Sequence, residues 1–265
     1  MGMIKIMHSF TYNGTELKSL GFAIKTKPIY RIAQRNITFQ TIYGRQGDVI
    51  VDDGTYKNVI QPYEINSIPV FTHEDNSDLV QRLAEWLSVH DGKYKILRDT
   101  YNPGYFCEAV CTNINDVVRN VARGFDTIVE FNRRPFWLSD EGQRPIKLPF
   151  EPTTTTQTAE IYNPEKYESE PIIRIHASGA QNSTIQINDQ VINIKRMYDN
   201  GIEINTPKMQ TSSINDDGVG EGNGNDLVDN DYMPKLKPGK NIIKFTADNL
   251  LSFSGITIIP NWCRL

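Results

Sequence analysis

The chain has 265 residues, of which 38% are hydrophobic and 10% aromatic, a composition that suits folded domains rather than a disordered chain. Its 28 basic and 32 acidic side chains give a formal net charge of −4, which argues against a dedicated nucleic-acid-binding protein. No apolar run approaches the roughly 18–20 residues that cross a bilayer, and the N-terminus shows no secretory signal. We therefore expect synthesis in the cytoplasm and no membrane insertion.

The first part of the sequence predicts strands joined by tight turns. Asn13-Gly14 is a hairpin signal, because both residues tolerate a positive φ. Apolar and polar residues alternate over residues 37–43, as in a half-buried strand. The glycines of residues 43–48 predict a hairpin tip, and Asp53-Gly54 predicts a second one. No helix pattern follows the Gly-x-x-Gly of residues 44–47, so we interpret it as a turn rather than a phosphate-binding loop.

Residues 77–89 carry the one convincing helical pattern. Ser77 is a predicted N-cap, and Asp91-Gly92 ends the pattern. The predicted apolar face consists of Leu79, Val80, Leu83, Trp86 and Leu87. Because Trp86 lies on that face, we interpret it as a core residue rather than a ligand platform. Strands are predicted after the helix, up to residue 131.

Residues 139–158 predict a linker, because three prolines and a run of four threonines suit neither helix nor sheet. After it, short alternating segments predict strands, for example at residues 172–177 and 241–246. Asn200-Gly201 predicts a hairpin between two of them. Short strands separated by turns are typical of a β-sandwich. The sequence therefore predicts two β-rich domains, residues 1–138 and 159–265.

The residue types that carry chemistry form no recognisable site. Cys107 and Cys111 would lie about 13 Å apart along a strand, beyond the reach of a disulfide, and with Cys263 they are predicted to be reduced structural thiols. The four histidines, which have no metal-ligand spacing, are His8, His73, His90 and His176. We predict no catalytic residue, no cofactor and no metal site, although a pair of glycosidase-type carboxylates stays open because the fold sets that geometry.

An acidic, glycine-rich stretch occupies residues 215–231. Its carboxylates, with no basic residue among them, are Asp216, Asp217, Glu221, Asp226, Asp229 and Asp231. A calcium-binding EF-hand register fails, because valines (Val219 and Val228) fall on ligand positions. Glycines at alternate positions from Gly218 to Gly224 predict a mobile loop instead, with Leu227 and Val228 as the apolar pair available to pin it.

Short segments, in their order along the chain, resemble one family of viral proteins. These segments are Asn13-Gly14 with Leu20-Gly21, the turn of residues 43–48 (similar to a Pro-Gly-Arg-Asp-Gly turn), the helix followed by Leu97-Arg98-Asp99, the Phe-Asn-Arg-Arg-Pro-Phe-Trp of residues 131–137, the Leu-x-Pro-Gly-x-Asn of residues 236–241, and the last five residues. The chain resembles the distal tail protein (Dit) family of long, non-contractile-tailed bacteriophages. The order of the motifs carries the resemblance, since no single turn motif is specific.

The resemblance implies a mainly β structural protein and no enzyme. An N-terminal "belt" domain with one helix, residues 1–138, would form a hexameric ring, and a galectin-like β-sandwich, residues 159–265, would lie outside it. The implied partners are the tail tube protein, the tail-associated hub or fibre protein, the tape measure protein and, in some phages, receptor-binding proteins. DNA would pass through the lumen without specific binding. The implied location is the tail tip of the virion, after synthesis in the host bacterial cytoplasm.

The main alternative is a carbohydrate-binding module of a cell-wall-directed protein. Aromatic side chains that stack on sugars would be its signature. The second half offers Tyr162, Tyr167, Tyr198, Tyr232 and Trp262, although the place of Trp262 in a terminal strand favours the core. A closed oligomer in solution would favour the ring, whereas a glycan-binding monomer would favour the module.

Overall fold

The computed structural model describes residues 8–67, 76–88, 91–114, 118–120, 124–151, 156–178, 181–197, 200–229, 232–248 and 252–265. Contacts divide the chain into two units, Met1–Trp137 with Leu265 and Leu138–Arg264. Each unit has its own buried hydrophobic core.

The first unit is built of strands and one α-helix among its described residues. The elements are β1 (Phe10–Tyr12), β2 (Thr15–Glu16), a 3-10 turn (Leu17–Leu20), β3 (Phe22–Ile24), β4 (Arg35–Gln40), β5 (Val49–Tyr56), β6 (Val59–Ser67), α1 (Asn76–Leu87), β7 (Lys95–Asp99), β8 (Tyr105–Ile114), β9 (Val118–Asn120), β10 (Gly124–Arg133) and β11 (Trp137–Ser139), which starts at the end of the unit. The antiparallel main sheet runs in the order β2-β1-β7-β8-β10-β6-β3. The predicted turn at Asn13-Gly14 joins β1 to β2, with φ of 50° and 80°.

Helix α1 packs its apolar face into the core of this unit, as the sequence predicts. Leu79, Leu83 and Leu87 are buried, four residues apart, so that they lie on one side of the helix. The Trp86 ring stacks on Phe10 at 5.8 Å, and its Nε1 donates to a backbone carbonyl. The helix begins at Asn76, so the predicted cap, Ser77, lies in its first turn.

The second unit contains the remaining strands. They are β12 (Ile146–Lys147), β13 (Thr156–Asn163), β14 (Ile172–Ser178), β15 (Gln181–Ile187), β16 (Gln190–Arg196), β17 (Ile202–Asn205), β18 (Gln210–Ile214), β19 (Gly220–Glu221), β20 (Val228–Asp229), β21 (Gly239–Asp248), β22 (Ser252–Ile259) and β23 (Cys263–Arg264), with 3-10 turns at Glu141–Gln143, Thr206–Lys208 and Asn225–Leu227. One antiparallel sheet has the order β12-β22-β14-β17-β18-β19, and another has the order β13-β21-β15-β16-β20.

The two sheets enclose a single core, which makes the unit a β-sandwich. Alternate residues of β13, β14, β15, β16, β21 and β22 point into it, and Trp262 is buried among them as expected. The buried Asn241 of the Leu-x-Pro-Gly-x-Asn motif closes the turn before β21, because its side chain bonds the backbone N–H and C=O of Lys237. The prediction of a mainly β fold, with one helix in the N-terminal part and a C-terminal β-sandwich, is confirmed.

The prediction that residues 139–158 contain neither helix nor sheet is wrong. Strand β12 pairs with β22, and Leu148 and Phe150 are buried in the core of the sandwich. The prolines at 145 and 149 flank β12 rather than lie in it, and β12 is the edge strand of its sheet, so the pairing with β22 loses no ladder hydrogen bond to proline. Much of the predicted linker is therefore part of the second unit.

Two predicted hairpin tips also have other roles. Gly54 lies inside β5, in a bulge opposite Asn36, where Asp52 and Asp53 accept hydrogen bonds from the N–H groups of Gly54 and Thr55. Asn200-Gly201 leads from β16 in one sheet to β17 in the other, so it makes no hairpin. Both glycines have a positive φ. A hairpin turn would require the same backbone conformation, so the local sequence pattern is the same in both cases.

Among the described residues, no helix is long and apolar enough to cross a membrane.

Candidate functional site

The most unusual surface of the first unit is a two-stranded hairpin, residues 35–56, which we call the arm. It consists of β4, β5 and the loop of residues 41–48, and within the described residues no other strand pairs with β4 or β5. None of its side chains is buried. An isolated two-stranded ribbon is marginally stable in water at best. In the described part of the chain, the arm therefore has none of the sheet neighbours that normally support a strand pair.

One face of the arm is apolar although it is open to solvent. Phe39 and Ile50 are cross-strand partners on that face and are 66% and 63% exposed. Ile37 lies on the same face, two residues before Phe39, because side chains alternate along a strand. Its cross-strand partner is Asp52, which pairs with Arg35, so the apolar patch is centred on Phe39 and Ile50. Thr38 and Val51 form the neighbouring pair on the opposite face. Aromatic and branched side chains in this arrangement suit a surface that another protein covers.

The tip of the arm is a defined loop with its largest side chain in solvent. Gly44 and Gly47 have φ of 79° and 82°, and Thr41 donates a hydrogen bond to Asp48 across the base of the loop. The Tyr43 side chain is fully exposed. The turn predicted from residues 43–48 is thus correct, and it presents an aromatic side chain at the end of the ribbon.

The segment that leads into the arm, residues 28–34, adds to the exposed apolar surface. The exposed side chains of this approach segment are Ile29, Tyr30 and Ile32. Its backbone is held by side chains of the main sheet: Gln61 Nε2 donates to the Ile29 carbonyl at 3.0 Å, and Arg133 donates to the Arg31 carbonyl at 2.8 Å. Exposed apolar side chains therefore run from the approach segment onto the arm.

Arg133 is the anchor of this arrangement. Its side chain is completely buried at the end of β10, and its guanidinium also donates to the carbonyls of Arg134 and Pro135. The guanidinium lies 5.2 Å from the centre of the Trp137 ring. Burial lowers the pKa of Arg133, but an arginine stays charged at neutral pH. A planar cation that bonds three backbone carbonyls is well suited to fix the approach segment.

The acidic stretch in the second unit is pinned by the apolar pair that the sequence offered, while its described carboxylates, at residues 216, 217, 221, 226 and 229, are exposed. Leu227 and Val228 are buried in the sandwich core, and β20 pairs with β16. The Asn225 side chain accepts a hydrogen bond from the Thr211 N–H. Asp226 pairs with Arg196 at 3.4 Å and Asp229 with Lys195 at 3.9 Å, so bases outside the stretch offset two of its charges. Sequence reasoning missed these long-range partners, because none of them lies within the stretch.

The acidic stretch contacts a buried carboxylate through the backbone of Gly220. Glu203 of β17 bonds Arg174 Nε at 2.8 Å, the Asn205 side chain at 3.1 Å and the Gly220 N–H at 3.2 Å. Burial alone would raise the pKa of Glu203, but these three hydrogen bonds outweigh that effect and lower it. The carboxylate therefore links β14 and β17 to the acidic stretch.

Glu203→Gln should destabilise the chain by about 2–3 kcal/mol at pH 7, because it leaves the partners of a buried carboxylate unsatisfied. Since the folded pKa lies below the ordinary value of about 4.3, this contribution is complete above that value and is lost as the pH falls through the folded pKa. Urea unfolding of both proteins from pH 7 to pH 3 should show the difference shrinking. The control is Glu160→Gln, which breaks the exposed pair with Lys240 and should cost under about 1 kcal/mol. Equal costs for the two variants would contradict the structural role of Glu203.

The other residues singled out from the sequence are not brought together. His8 stacks on Tyr101 in the first unit, and His176 lies on β14 in the second. Among the described residues, no three His, Cys, Asp or Glu side chains are placed to share a metal ion. Tyr162 is 70% exposed on β13. The sequence-selected residues that fall outside the described ones are His73, Val89, His90, Pro152, Thr153, Thr154, Thr155, Tyr198 and Asp231.

The cysteines are free thiols in protected surroundings. Cys107 and Cys111 lie on the same strand, β8, and Cys107 and Cys263 are buried. Burial raises the pKa of Cys107 and of Cys263 to about 12 and that of Cys111 to about 11. Such thiols carry little thiolate at neutral pH, so they suit packing rather than chemistry.

The chain has the fold of phage distal tail proteins. The solved structure that carries this likeness is the crystal structure of the SPP1 Dit (gp 19.1) protein, described as a paradigm of the hub adsorption apparatus in phages that infect Gram-positive bacteria. It aligns with a TM-score of 0.61 at 13% sequence identity, over 91% of this chain and 99% of that chain. The resemblance inferred from the sequence motifs is thereby confirmed at the level of the fold.

Two structures of the phage P2 baseplate in its activated conformation, with Ca and with Sr, also align. Each has a TM-score of 0.46 at 10% identity, and the alignments cover 96% and 95% of this chain and 97% and 96% of theirs. No protein-family model matches the chain, and no curated protein matches it.

Proposed function

We propose that this chain is a structural component of a phage tail tip or baseplate, where copies of it form a ring between the tail tube and the host-attachment apparatus. The fold likeness to the SPP1 Dit protein over nearly the full length of both chains supports this role. The exposed apolar face of the arm is the observation that supports assembly of several copies. A non-enzymatic role agrees with a surface whose most distinctive feature is apolar rather than catalytic.

A closed ring needs a heterologous contact, in which one face of each copy fits a different face of the next. The apolar face of the arm, with Phe39 and Ile50, supplies one of these faces. Covering it with a neighbouring copy removes apolar surface from water and gives the isolated ribbon the support it lacks. We infer six copies from the resemblance to the distal tail family.

The two units have different roles in this proposal. Residues 1–138 form the ring, because the arm and the approach segment belong to this part, and the sandwich of the second unit extends from the ring. The proposed partners are the tail tube protein, the tape measure protein and the hub or fibre protein, with receptor-binding proteins in some phages, and DNA passes through the lumen. Residues 1–138 expressed alone should still form an oligomer, whereas the second unit alone should stay monomeric.

Phe39→Asp should abolish assembly, because a carboxylate on the apolar face cannot be desolvated by the neighbouring copy. The matched control is Thr38→Asp, which adds the same charge to the same strand on the opposite face. Mass measurement by light scattering should give an oligomer for the unmodified chain and for the control, and a monomer of 30.2 kDa for Phe39→Asp. The melting temperature of the monomeric variant should stay near that of the control, because Phe39 supports no core.

If the Phe39→Asp variant remained oligomeric, the arm would not form the contact between copies. A monomeric unmodified chain that binds glycans would instead favour the alternative function, a carbohydrate-binding module.

A further inference from the structure

The main sheet of the first unit has one face that is turned away from the core. Leu97 of β7 and Phe131 of β10 are buried in the core, so the residues next to them point to the other side of the sheet. We call that side the outer face. Its apolar residues are Ile60, Ile96, Val110 and Ile128, with Tyr94 immediately before β7.

A row of side chains crosses the outer face on four neighbouring strands. Asn132 of β10 lies opposite Val110 of β8 on one side and opposite Ile60 of β6 on the other. The register of β7 with β8 places Tyr94 opposite Val110. With strands about 4.8 Å apart, the row is about 14 Å long, which is enough to lie under a two-stranded ribbon.

The outer face holds the exposed apolar side chains of the first unit that do not belong to the arm or the approach segment. Among the described residues, the large ones are Ile60, Tyr94, Ile96 and Ile128, which are 36–48% exposed. Single exposed apolar side chains are ordinary, but these four share one face of one sheet. The first unit therefore has two apolar surfaces, the arm with its approach segment and the outer face.

The charged groups beside Tyr94 already have partners within the chain. Arg134 pairs with Glu108 at 2.9 Å, and its guanidinium lies 4.8 Å from the centre of the Tyr94 ring. The Tyr94 hydroxyl accepts a hydrogen bond from Asn58 Nδ2 at 2.8 Å. A layer that covered this end of the row would therefore not leave these groups without partners.

The arm and the outer face are complementary in architecture. The arm is a two-stranded layer with one apolar face, and the outer face is a sheet surface whose apolar row is open to solvent. Two sheets pack face to face about 10 Å apart, with the side chains of their inner faces interdigitated. Within one copy both Phe39 and Ile96 are exposed, so the arm does not cover the outer face of its own chain. The match has to be made between copies.

We propose that the outer face receives the apolar face of the arm of a second copy of this chain, with Ile60, Tyr94 and Ile96 packed against Phe39 and Ile50. The inference rests on the proposed ring and supplies the second of the two different faces that a heterologous contact needs. Each copy would give its arm to one neighbour and receive the arm of the other.

Ile60→Asp and Ile96→Asp should each abolish assembly of the full chain, because the arriving arm cannot desolvate the new carboxylate. The control is Gln81→Asp on the exposed side of α1, which packs on the core side of the sheet. Light scattering should give monomers for the two outer-face variants and an oligomer for the control. Their melting temperatures should stay near that of the control, because these side chains are open to solvent in a single copy.

Mixtures of the variants test the contact itself. A Phe39→Asp copy keeps its outer face and an Ile60→Asp copy keeps its arm, so the two should join through one intact contact and stop there. Analytical ultracentrifugation of the equal mixture should show a species of twice the chain mass of 30.2 kDa, which neither variant forms alone. The matched control is Ile60→Asp mixed with Ile96→Asp, which should stay monomeric because both lack a working outer face.

The outcomes separate this inference from the proposed ring. If Phe39→Asp is monomeric but Ile60→Asp and Ile96→Asp still assemble, the ring stands and the outer face is not its second contact. If the outer-face variants are monomeric but no mixture with Phe39→Asp forms the dimer, the arm and the outer face do not meet, as when two outer faces pack on each other. A monomeric unmodified chain would contradict the ring itself.

Discussion

Gly201→Ala should destabilise the second unit by about 3–5 kcal/mol, the largest effect that we expect of any single methyl group. A Cβ at this position would lie 1.9 Å from the carbonyl oxygen of Ile175 and 2.9 Å from its carbonyl carbon. The contact is with backbone in β14, which cannot rotate away as a side chain can. Residue 201 also has φ of 107°, which L-residues rarely adopt. The substitution must therefore push β17 away from β14, where Ile202 pairs with Ile175.

Gly222→Ala is the matched control for Gly201→Ala. Gly222 has φ of 78° in the same unit, but a Cβ there would have no atom within 4 Å. The control should cost only the backbone strain, about 1–2 kcal/mol. Urea unfolding of the two variants side by side separates strain from steric contact. Costs within about 0.5 kcal/mol of each other would show that β14 does not approach Gly201 as closely as described.

Arg133→Met should cost about 3 kcal/mol in the first unit. Methionine fills much of the same volume but leaves three partly buried backbone carbonyls, those of Arg31, Arg134 and Pro135, without their donor. Arg133→Lys should rescue little, because one ammonium cannot reproduce the planar fork that reaches carbonyls on two segments. Release of the approach segment should also expose its amides, which hydrogen exchange over residues 28–34 would detect.

The neighbouring arginine provides the control. Arg134 is exposed, pairs with Glu108 at 2.9 Å and lies over the Tyr94 ring. Arg134→Met should cost under about 1 kcal/mol, because exposed ion pairs contribute little. If the two arginine variants unfold at the same urea concentration, the buried guanidinium is not the anchor that we infer.

Local patterns were sufficient to predict the parts of the fold that depend on neighbouring residues. The spacing of Leu79, Leu83 and Leu87 predicts the buried face of α1, and Asn13-Gly14 predicts a turn whose φ angles are a property of those two residues. The motifs near the end of the chain have similar local causes. Asn241, for example, bonds the backbone of the turn that precedes it.

Long-range contacts explain what the sequence could not show. Asn200-Gly201 is a hairpin signal, but Gly201 is required by the approach of β14, a strand more than twenty residues away in sequence. The sequence predicts a linker for the Pro-rich stretch because the pairing of β12 with β22 cannot be recognised from the local sequence pattern. The sequence predicts a mobile acidic stretch for the same reason, since the contacts that hold it come from Glu203 and Thr211 on other strands.

The arm illustrates this limit most clearly. Alternation over residues 37–43 predicts a strand with one buried face, and in the chain by itself that face is open. The pattern is thus compatible with burial that a second copy completes, because alternation records only that a face is apolar and not which molecule covers it.

The central claim, a ring built through the arm, is tested most directly by electron microscopy of the purified full-length chain. We expect closed particles with six-fold rotational symmetry, an open centre wide enough for duplex DNA and six times the chain mass of 30.2 kDa. The same preparation of Phe39→Asp should show no rings, whereas Thr38→Asp should show them unchanged. Monomeric or open-chain particles of the unmodified protein, or intact rings of Phe39→Asp, would contradict the account.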